Sequence, residues 1–560
     1  SVVQSSSLLL RAAVFTILPF IPVNLWSLGI LDLLAVGFFW YRIRKTGKRQ
    51  QYRWSIYDAV LAAALLFAVL WIANIRYGLP ALDWSYRTVD PAARYREAME
   101  LINNGAVSRM FFAQSVNGIT MEIFDPFLRY DYYYRLYVFS DILQLLLSGL
   151  MFYGAAKSLA EKGKTSHFIS IASIVCTFFY LLGYPLNSTL YGFTYLGMSL
   201  YLVAATLVVA DAYAESRFLS KWFPLLLLML LMHAMFQCYL LFMPVTFLAV
   251  GFLILAKQKG QGRLLSKSTW LDVIVVFALP VFLGFFFTYR DVFVNDHVAV
   301  SDAIGAEGSI YRDLYSNFLF FLPPAIFGLI LLIRKKKNAF LSWFMPMFLV
   351  FMIGMFILTA FPGKISTYYY FKNYYMLWLV VFLLIVYALS RADKWGRGVV
   401  VAFLLSWTFS AAMFVTGAEI NMQANSGLFV PDRKSERYNS LIAFNLETLK
   451  RPRYPASKME LMHYVYGELL SGGEPSSQVP VCSTEEETYL YESVTGQRLK
   501  DYEFWRSEEN DIQYFINVKE KCDYVCVYTD CPLYEVHKEV FWDDLPVVFS
   551  NDAGFIAKVE

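Results

Sequence analysis

The residues best suited to chemistry lie in a long polar segment, residues 76–135, between two apolar runs. Asp90 precedes Pro91, a pairing typical of a helix N-cap with proline at the first helical position, and this helix is predicted to run to Asn104-Gly105. A carboxylate fixed at a helix start can act as a general base toward an acceptor hydroxyl. Helix capping, worth about 1 kcal/mol, is the competing explanation for Asp90.

Further carboxylates lie in the same segment. Glu97, Asp125 and Asp131 are secondary candidates for acid or base chemistry. Because carboxylates from two parts of one loop can share a divalent cation, a Mg²⁺ or Mn²⁺ site is an open alternative. The sequence decides neither for nor against a metal.

The elements that must position these residues are membrane spans. The 560-residue chain is 58% hydrophobic and only 17% charged, against roughly 25% charged in soluble domains. Apolar runs long enough to cross a bilayer recur from Leu8 to Val415 and then stop, which predicts about thirteen spans and a boundary near Gly417. The predicted spans are 8–23, 25–41, 55–75, 136–156, 167–184, 193–213, 222–241, 243–256, 270–289, 315–333, 339–360, 374–390 and 398–416.

Short loops rich in Lys and Arg predict the orientation, because such loops stay in the cytoplasm. Each of them follows an even-numbered span: residues 42–53, 157–164, 217–221, 257–267, 334–337 and 391–397. The N-terminus is therefore predicted to be cytoplasmic, in the plasma (inner) membrane, with the 76–135 loop and residues 417–560 outside. A net charge of +3, spread over these loops, gives no nucleic-acid footprint.

Residues 417–560 are predicted to form a small α/β domain. Strand-like runs alternate with helical ones, and Ser483 with Glu486 matches a capping box at a helix start. The predicted strands are 479–482, 524–528, 546–550 and 555–559, and the predicted helices are 457–470 and 485–493. The domain has no glycine-rich phosphate loop and no hydrolase or metalloprotease motif, which favours a supporting or docking role.

Four cysteines lie in the predicted outer domain: Cys482, Cys522, Cys526 and Cys531. An exported domain makes disulfides plausible. The spacing of the last three differs from the two-residue spacing usual for structural zinc, so disulfides or free thiols are favoured over a metal. The pairing is open.

This combination of features resembles the GT-C glycosyltransferase superfamily. The resemblance rests on about thirteen spans, Asp90 with Tyr95 in a loop helix closed by glycine, and an outer C-terminal α/β domain. Two features depart from the family pattern: the loop follows the third span rather than the first, and Asp90 is not part of an Asp-Glu pair. The Trp-Trp-Asp-Tyr-Gly signature of oligosaccharyltransferases is absent.

The resemblance implies an enzyme that transfers a sugar from a polyprenyl-phosphate carrier to an acceptor glycan, lipid or protein at the outer face. Such a step needs a base at the acceptor, for which Asp90 is the candidate, and cations at the leaving phosphate. Lys372, in a tyrosine-rich stretch, is the leading phosphate ligand, followed by Lys364, Arg290 and Arg312. Snorkelling lysines within an aromatic belt are the competing explanation.

Three other functions fit the same sequence. A polysaccharide polymerase would use the same donor chemistry on a longer acceptor. A lipid-linked glycan transporter or flippase should show internal repeats and charged residues along a central path, and neither is evident. A non-catalytic assembly protein would use the outer domain as its binding module.

Overall fold

The computed structural model of the chain is mostly helical. It describes residues 34, 36–42, 44–45, 55–85, 89–104, 117, 121, 133–161, 167–284, 318, 320–335, 339–361, 365–415, 441–472, 478–497, 499, 522–541 and 545–559. The helices before the C-terminal region are α1 (Ile56–Tyr77), α2 (Val89–Asn104), α3 (Tyr133–Glu161), α4 (His167–Leu182), α5 (Tyr184–Leu190), α6 (Thr194–Ala214), α7 (Trp222–Cys238), α8 (Met243–Gly260), α9 (Lys267–Gly284), α10 (Leu322–Lys335), α11 (Ala339–Ala360), α12 (Thr367–Lys372), α13 (Tyr374–Arg391) and α14 (Lys394–Val415).

Seven helical segments within these described residues are long and apolar enough to cross a membrane. They correspond to α1, α3, α4 with α5, α6, α8 with the preceding 3₁₀ turn, α11, and α12 with α13. Each predicted span from residue 55 onward overlaps a helix, and α7 and α10 are apolar helices shorter than the other spans. The span at 8–23 lies outside the described residues, so the total of thirteen stays a prediction.

The centre of the bundle is α13. In the most apolar stretch of α12 and α13 together, 94% of the residues are buried. At Gly328 of α10 an added Cβ would lie 2.2 Å from the carbonyl oxygen of Leu384, so the two backbones approach as closely as glycine allows. Trp378 lies on another side of α13, and its indole nitrogen donates a hydrogen bond to the Tyr180 carbonyl at 3.0 Å.

Two segments predicted as outer loops are partly helical. Residues 184–190 form α5, which is buried throughout, and residues 367–372 form α12. A buried backbone must satisfy its polar groups, and a helix does so within the segment. The side chain of Asn187 adds hydrogen bonds to Asn445 at 2.9 Å and Tyr375 at 2.8 Å.

The C-terminal region contains a four-stranded sheet in the order β1 (Val481–Cys482), β2 (Tyr524–Tyr528), β4 (Gly554–Lys558), β3 (Val547–Asn551). The β1–β2 pair is parallel, whereas β2–β4 and β3–β4 are antiparallel. The accompanying helices are α15 (Leu441–Thr448), α16 (Ala456–Tyr464), α17 (Glu485–Thr495) and α18 (Pro532–Phe541). Each observed strand and the two predicted helices overlap the sequence-based ranges.

Two details of this region differ from expectation or remain open. The capping box at α17 is formed by Thr484 and Glu487, one residue later than predicted, because Ser483 bonds to the Thr488 hydroxyl instead at 2.7 Å.

Leu441 and Ile442 of α15 pack into the core formed by the bundle helices. The boundary predicted near Gly417 lies outside the described residues and stays a prediction.

Candidate functional site

The helix that carries Asp90 is α2, which begins at Val89. Asp90 is therefore the second residue of the helix, two positions further in than the predicted N-cap. Burial of one face fixes α2: the Tyr95 ring lies 5.5 Å from that of Trp84 and 5.3 Å from that of Tyr137 in α3. Such aromatic pairs add to the stabilisation that burial gives.

A close backbone contact fixes the start of α2 from the other side. Gly192, in the turn between α5 and α6, has a φ of +72°, and an added Cβ would lie 2.6 Å from the backbone nitrogen of Pro91. Only glycine combines this conformation with this approach. The α5–α6 turn thus brings Asp90 beside the first turn of α6.

Asp90 lies among positive charges. Burial raises the pKa of its carboxyl above the ordinary value, and the charges of Arg94 and Lys372 offset only part of this effect. Asp90 and Lys372, predicted to act at one site, are therefore close enough in the fold to interact electrostatically.

Arg94 is the second cation of the site. It lies one turn after Asp90, and its guanidinium donates to Glu97 at 2.6 Å. Burial alone would lower the pKa of Arg94, but Glu97 and Tyr195 outweigh burial and the net shift is upward. Arg94 therefore keeps its charge, and Glu97 serves as its partner.

Lys372 is buried in a ring of aromatic side chains, the lysine cage. Its ammonium donates to the Tyr195 hydroxyl at 2.7 Å, and only 4% of the residue is exposed. The Tyr195 ring also lies 5.5 Å from the guanidinium of Arg94, so two cations share one tyrosine. The cage rings lie 4.0–5.8 Å from the ammonium: Phe193, Tyr195, Tyr239, Tyr368 and Tyr369.

No carboxylate among the described residues lies within ion-pair distance of the Lys372 ammonium. An ammonium has three donors, and Tyr195 takes one of them. Aromatic faces attract a cation but do not neutralise it. The cage therefore leaves a buried positive charge available to an anion.

A cavity of about 100 Å³ lies between α3, α5 and α6, with both apolar and polar side chains in its lining. Thr194, which precedes Tyr195 of the lysine cage in sequence, is one of the lining residues. The Thr194 hydroxyl is buried and has no hydrogen-bond partner among the described residues. The polar side chains that line the cavity are Ser140, Asp141, Gln144, Ser148, Ser188, Thr189, Thr194 and Tyr201.

The C-terminal region packs against α2 through α17. Glu492 forms an ion pair with Arg96, and the Ser493 hydroxyl donates to the Ala92 carbonyl at 2.7 Å. Glu492 also accepts from the backbone nitrogen of Leu499 at 2.8 Å. A helix from the sheet region therefore holds the turn of α2 that follows Asp90.

The structure thus brings together Asp90, Lys372 and, through Arg94, Glu97. Five other predicted site residues lie outside the described residues, and their roles stay predictions: Lys364, Arg290, Arg312, Asp125 and Asp131. Within the described part of the chain, no cluster of three or more His, Cys, Asp or Glu side chains could hold a metal.

Sequence reasoning missed Arg94 and two tyrosines of the cage, Tyr195 and Tyr239. Arg94 carried a usable signal, since it follows Asp90 by four residues and so lies on the same face of α2. Tyr195 and Tyr239 carried none, because they come from α6 and the turn after α7 and meet Lys372 only in the folded chain.

Comparison with known proteins supports the fold. No family model and no curated protein matches the chain. Two crystal structures of ArnT from Cupriavidus metallidurans are similar at 12% identity, each over 90% of this chain. The match covers 97% of the ArnT chain in the apo structure, with a TM-score of 0.49. It covers 98% of the ArnT chain in the structure bound to undecaprenyl phosphate, with a TM-score of 0.50. The chain therefore shares its fold with the ArnT structure bound to undecaprenyl phosphate, in agreement with the architecture that the resemblance predicts.

Proposed function

We propose that this membrane protein of the GT-C fold is a glycosyltransferase that moves a sugar from a polyprenyl-phosphate donor to an acceptor glycan, lipid or protein. The charge pattern supports thirteen spans, a cytoplasmic N-terminus and a site that faces outward. The fold is shared with an ArnT structure that binds undecaprenyl phosphate.

The observation that carries the proposal is a buried lysine, Lys372, that has no described carboxylate at ion-pair distance and lies near the carboxylate of Asp90. Lys372 offers donors to a phosphate, and Arg94 adds a second positive charge at the Tyr195 ring. Asp90 interacts with both charges. A lipid phosphate bound at Lys372 would give the ammonium a counter-charge at ion-pair distance, which no described carboxylate supplies.

The reaction follows from these roles. The acceptor hydroxyl attacks the anomeric carbon as the bond from that carbon to the phosphate oxygen breaks, and Asp90 accepts the hydroxyl proton. Negative charge grows on the leaving phosphate, where Lys372 and Arg94 stabilise it. A single displacement of this kind inverts the anomeric carbon.

The cavity beside Thr194 fits the same proposal. Its lining is largely apolar, but its hydroxyl and amide groups, with the carboxylate of Asp141, supply hydrogen-bond partners for the hydroxyl groups of a sugar. The Thr194 hydroxyl, which has no partner among the described residues, would gain a hydrogen bond when a polar ligand enters.

The test is an Asp90→Asn variant assayed for transfer from radiolabelled polyprenyl-phosphate sugars in membranes. Loss of a general base lowers the rate by about 10²–10⁴-fold. Asp552→Asn is the matched control, because Asp552 is exposed in the turn between β3 and β4. Transfer at the wild-type rate by Asp90→Asn would remove the proposed base.

The same membranes distinguish the alternatives. Growth of the labelled product to long chains would identify a polymerase, which differs only in its acceptor. If the wild-type protein transfers sugar from no donor but moves labelled lipid across the bilayer of a vesicle, the protein is a flippase and the proposal fails.

A further inference from the structure

Two of the C-terminal cysteines lie side by side. The sulfur atoms of Cys482 and Cys531 are 3.7 Å apart, and both residues are buried. Both cysteines are present as thiols. The sequence left the pairing of the four cysteines in this region open.

The strand pairing explains why these two meet. Cys482 ends β1, which runs parallel to β2 with Cys482 opposite Val527. Cys531 follows the turn after β2, before α18 begins. Parallel strands bring their C-terminal ends to one edge of a sheet, so both thiols reach the same edge.

An ion-pair bridge crosses the same gap. Lys458 of α16 contacts Glu487 in the first turn of α17 and Asp530, next to Cys531, at 2.7 Å. A buried lysine therefore links the first turn of α17, which follows Cys482, to the turn that precedes Cys531. These contacts already hold the two thiols close together.

We propose that Cys482 and Cys531 form a disulfide when the protein meets a disulfide oxidant. The thiolate of Cys531 attacks one sulfur of the oxidant and releases a thiol, and Cys482 then displaces the second oxidant sulfur. The protein loses two electrons and two protons, and the oxidant becomes two thiols. The sulfur atoms close from 3.7 Å to about 2.05 Å.

The neighbouring thiols explain the selectivity. The hydrogen bond with Cys482 lowers the pKa of Cys531, although burial opposes the shift. Burial raises the pKa of Cys526 in the middle of β2, and it raises the pKa of Cys522 to about 11. Cys531 is therefore the cysteine of this region most ready to attack.

The disulfide would fix the start of α17, the helix that holds α2. It would close a loop between positions 49 residues apart. Oxidation should raise the thermal unfolding midpoint of the protein by about 3 °C. The inference does not depend on the proposed enzymatic activity.

The experiment treats the purified full chain in detergent with oxidised glutathione, followed by alkylation, digestion and mass spectrometry. We expect one linked peptide pair, Cys482 with Cys531, about 2 Da lighter than the two reduced peptides, and a higher unfolding midpoint. Cys526→Ser should keep the link and the midpoint rise, whereas Cys531→Ser should lose both. A link through Cys522 or Cys526, or four alkylated thiols after oxidation, would overturn the assignment.

Discussion

Two lysines are almost equally buried but have opposite surroundings. Lys372 and Lys458 are 4% and 3% exposed. Lys458 contacts two carboxylates, Glu487 and Asp530, and two tyrosine rings. Lys372 contacts one hydroxyl and five aromatic rings, and Asp90 acts on it at longer range.

The difference separates a structural charge from a functional one. A buried charge needs a counter-charge, and the fold supplies it to Lys458. For Lys372 the described residues supply polarisable rings instead, which tolerate a cation and leave room for an external anion. The two sites therefore predict different responses to the same substitution.

Of the two lysine substitutions, Lys372→Met should have the larger effect on transfer. Loss of a cation at the leaving phosphate lowers the turnover number by about 10²–10³-fold. The unfolding midpoint should stay or rise, because no described carboxylate loses its partner. Transfer assays and thermal unfolding in detergent measure the two effects.

Lys458→Met is the matched control and should show the reverse. It leaves the carboxylate of Glu487 largely buried without its partner, which destabilises the protein by roughly 3 kcal/mol. The rate per folded molecule should stay near that of the wild type. If Lys458→Met stops transfer and keeps stability, or Lys372→Met only destabilises, the comparison is wrong.

The pH profile sharpens the role of Asp90. A general base must be ionised, and the pKa of Asp90 is raised. As the pH falls, activity should therefore be lost at a pH above the ordinary aspartate pKa of about 3.9. Below this pKa, kcat/KM should fall about tenfold per pH unit. The residual rate of Asp90→Asn should lack this fall at low pH. If Asp90→Asn shows the same fall, a group other than Asp90 causes it.

The Gly192→Ala variant tests the contact that brings α2 to the lysine cage. Both Gly192 and Gly262 have positive φ, so alanine strains each by about 1–2 kcal/mol. Only at Gly192 does the added Cβ meet Pro91, and we expect transfer to fall by about tenfold or more through displacement of Asp90. Gly262→Ala, which meets nothing within 4 Å, should keep the rate. Equal rates in the two variants would contradict the positioning role.

Ser493→Ala should have the smallest effect and would link the two regions. Loss of the hydrogen bond to Ala92 loosens α2 and should lower the turnover number by about 3–10-fold, with the KM for the donor unchanged. Thr495→Ala in the same helix is the control, because its hydroxyl bonds to Tyr491 instead. A change of similar size in both variants would indicate general loosening of α17.

The sequence predicted those parts that depend on local pattern. Apolar runs predicted the helices, strand-like runs predicted the strands, and the Asp90-Pro91 pair predicted the start of α2 within two residues. The boundary error at Thr484 arose because Ser483 and Thr484 are both good caps, and the hydrogen bond between Ser483 and Thr488 distinguishes them.

The sequence could not predict the contacts made across the fold. The joint role of Asp90 and Lys372 was proposed from their chemistry, but the cage needed tyrosines from α6 and the turn after α7 to meet α12. The thiol pair likewise depends on the register of β1 against β2. Such contacts follow from three-dimensional packing, which no local spacing encodes.

The most direct test of the central claim is binding of a polyprenyl phosphate compared with the neutral polyprenol of the same length. The wild-type protein and Lys458→Met should both prefer the phosphate by about 10–100-fold, the value of one charge-assisted contact in a buried site. Lys372→Met should lose most of this preference, with Arg94 accounting for what is left. A preference of wild-type size in Lys372→Met would contradict the assignment of Lys372 as the ligand of an external anion.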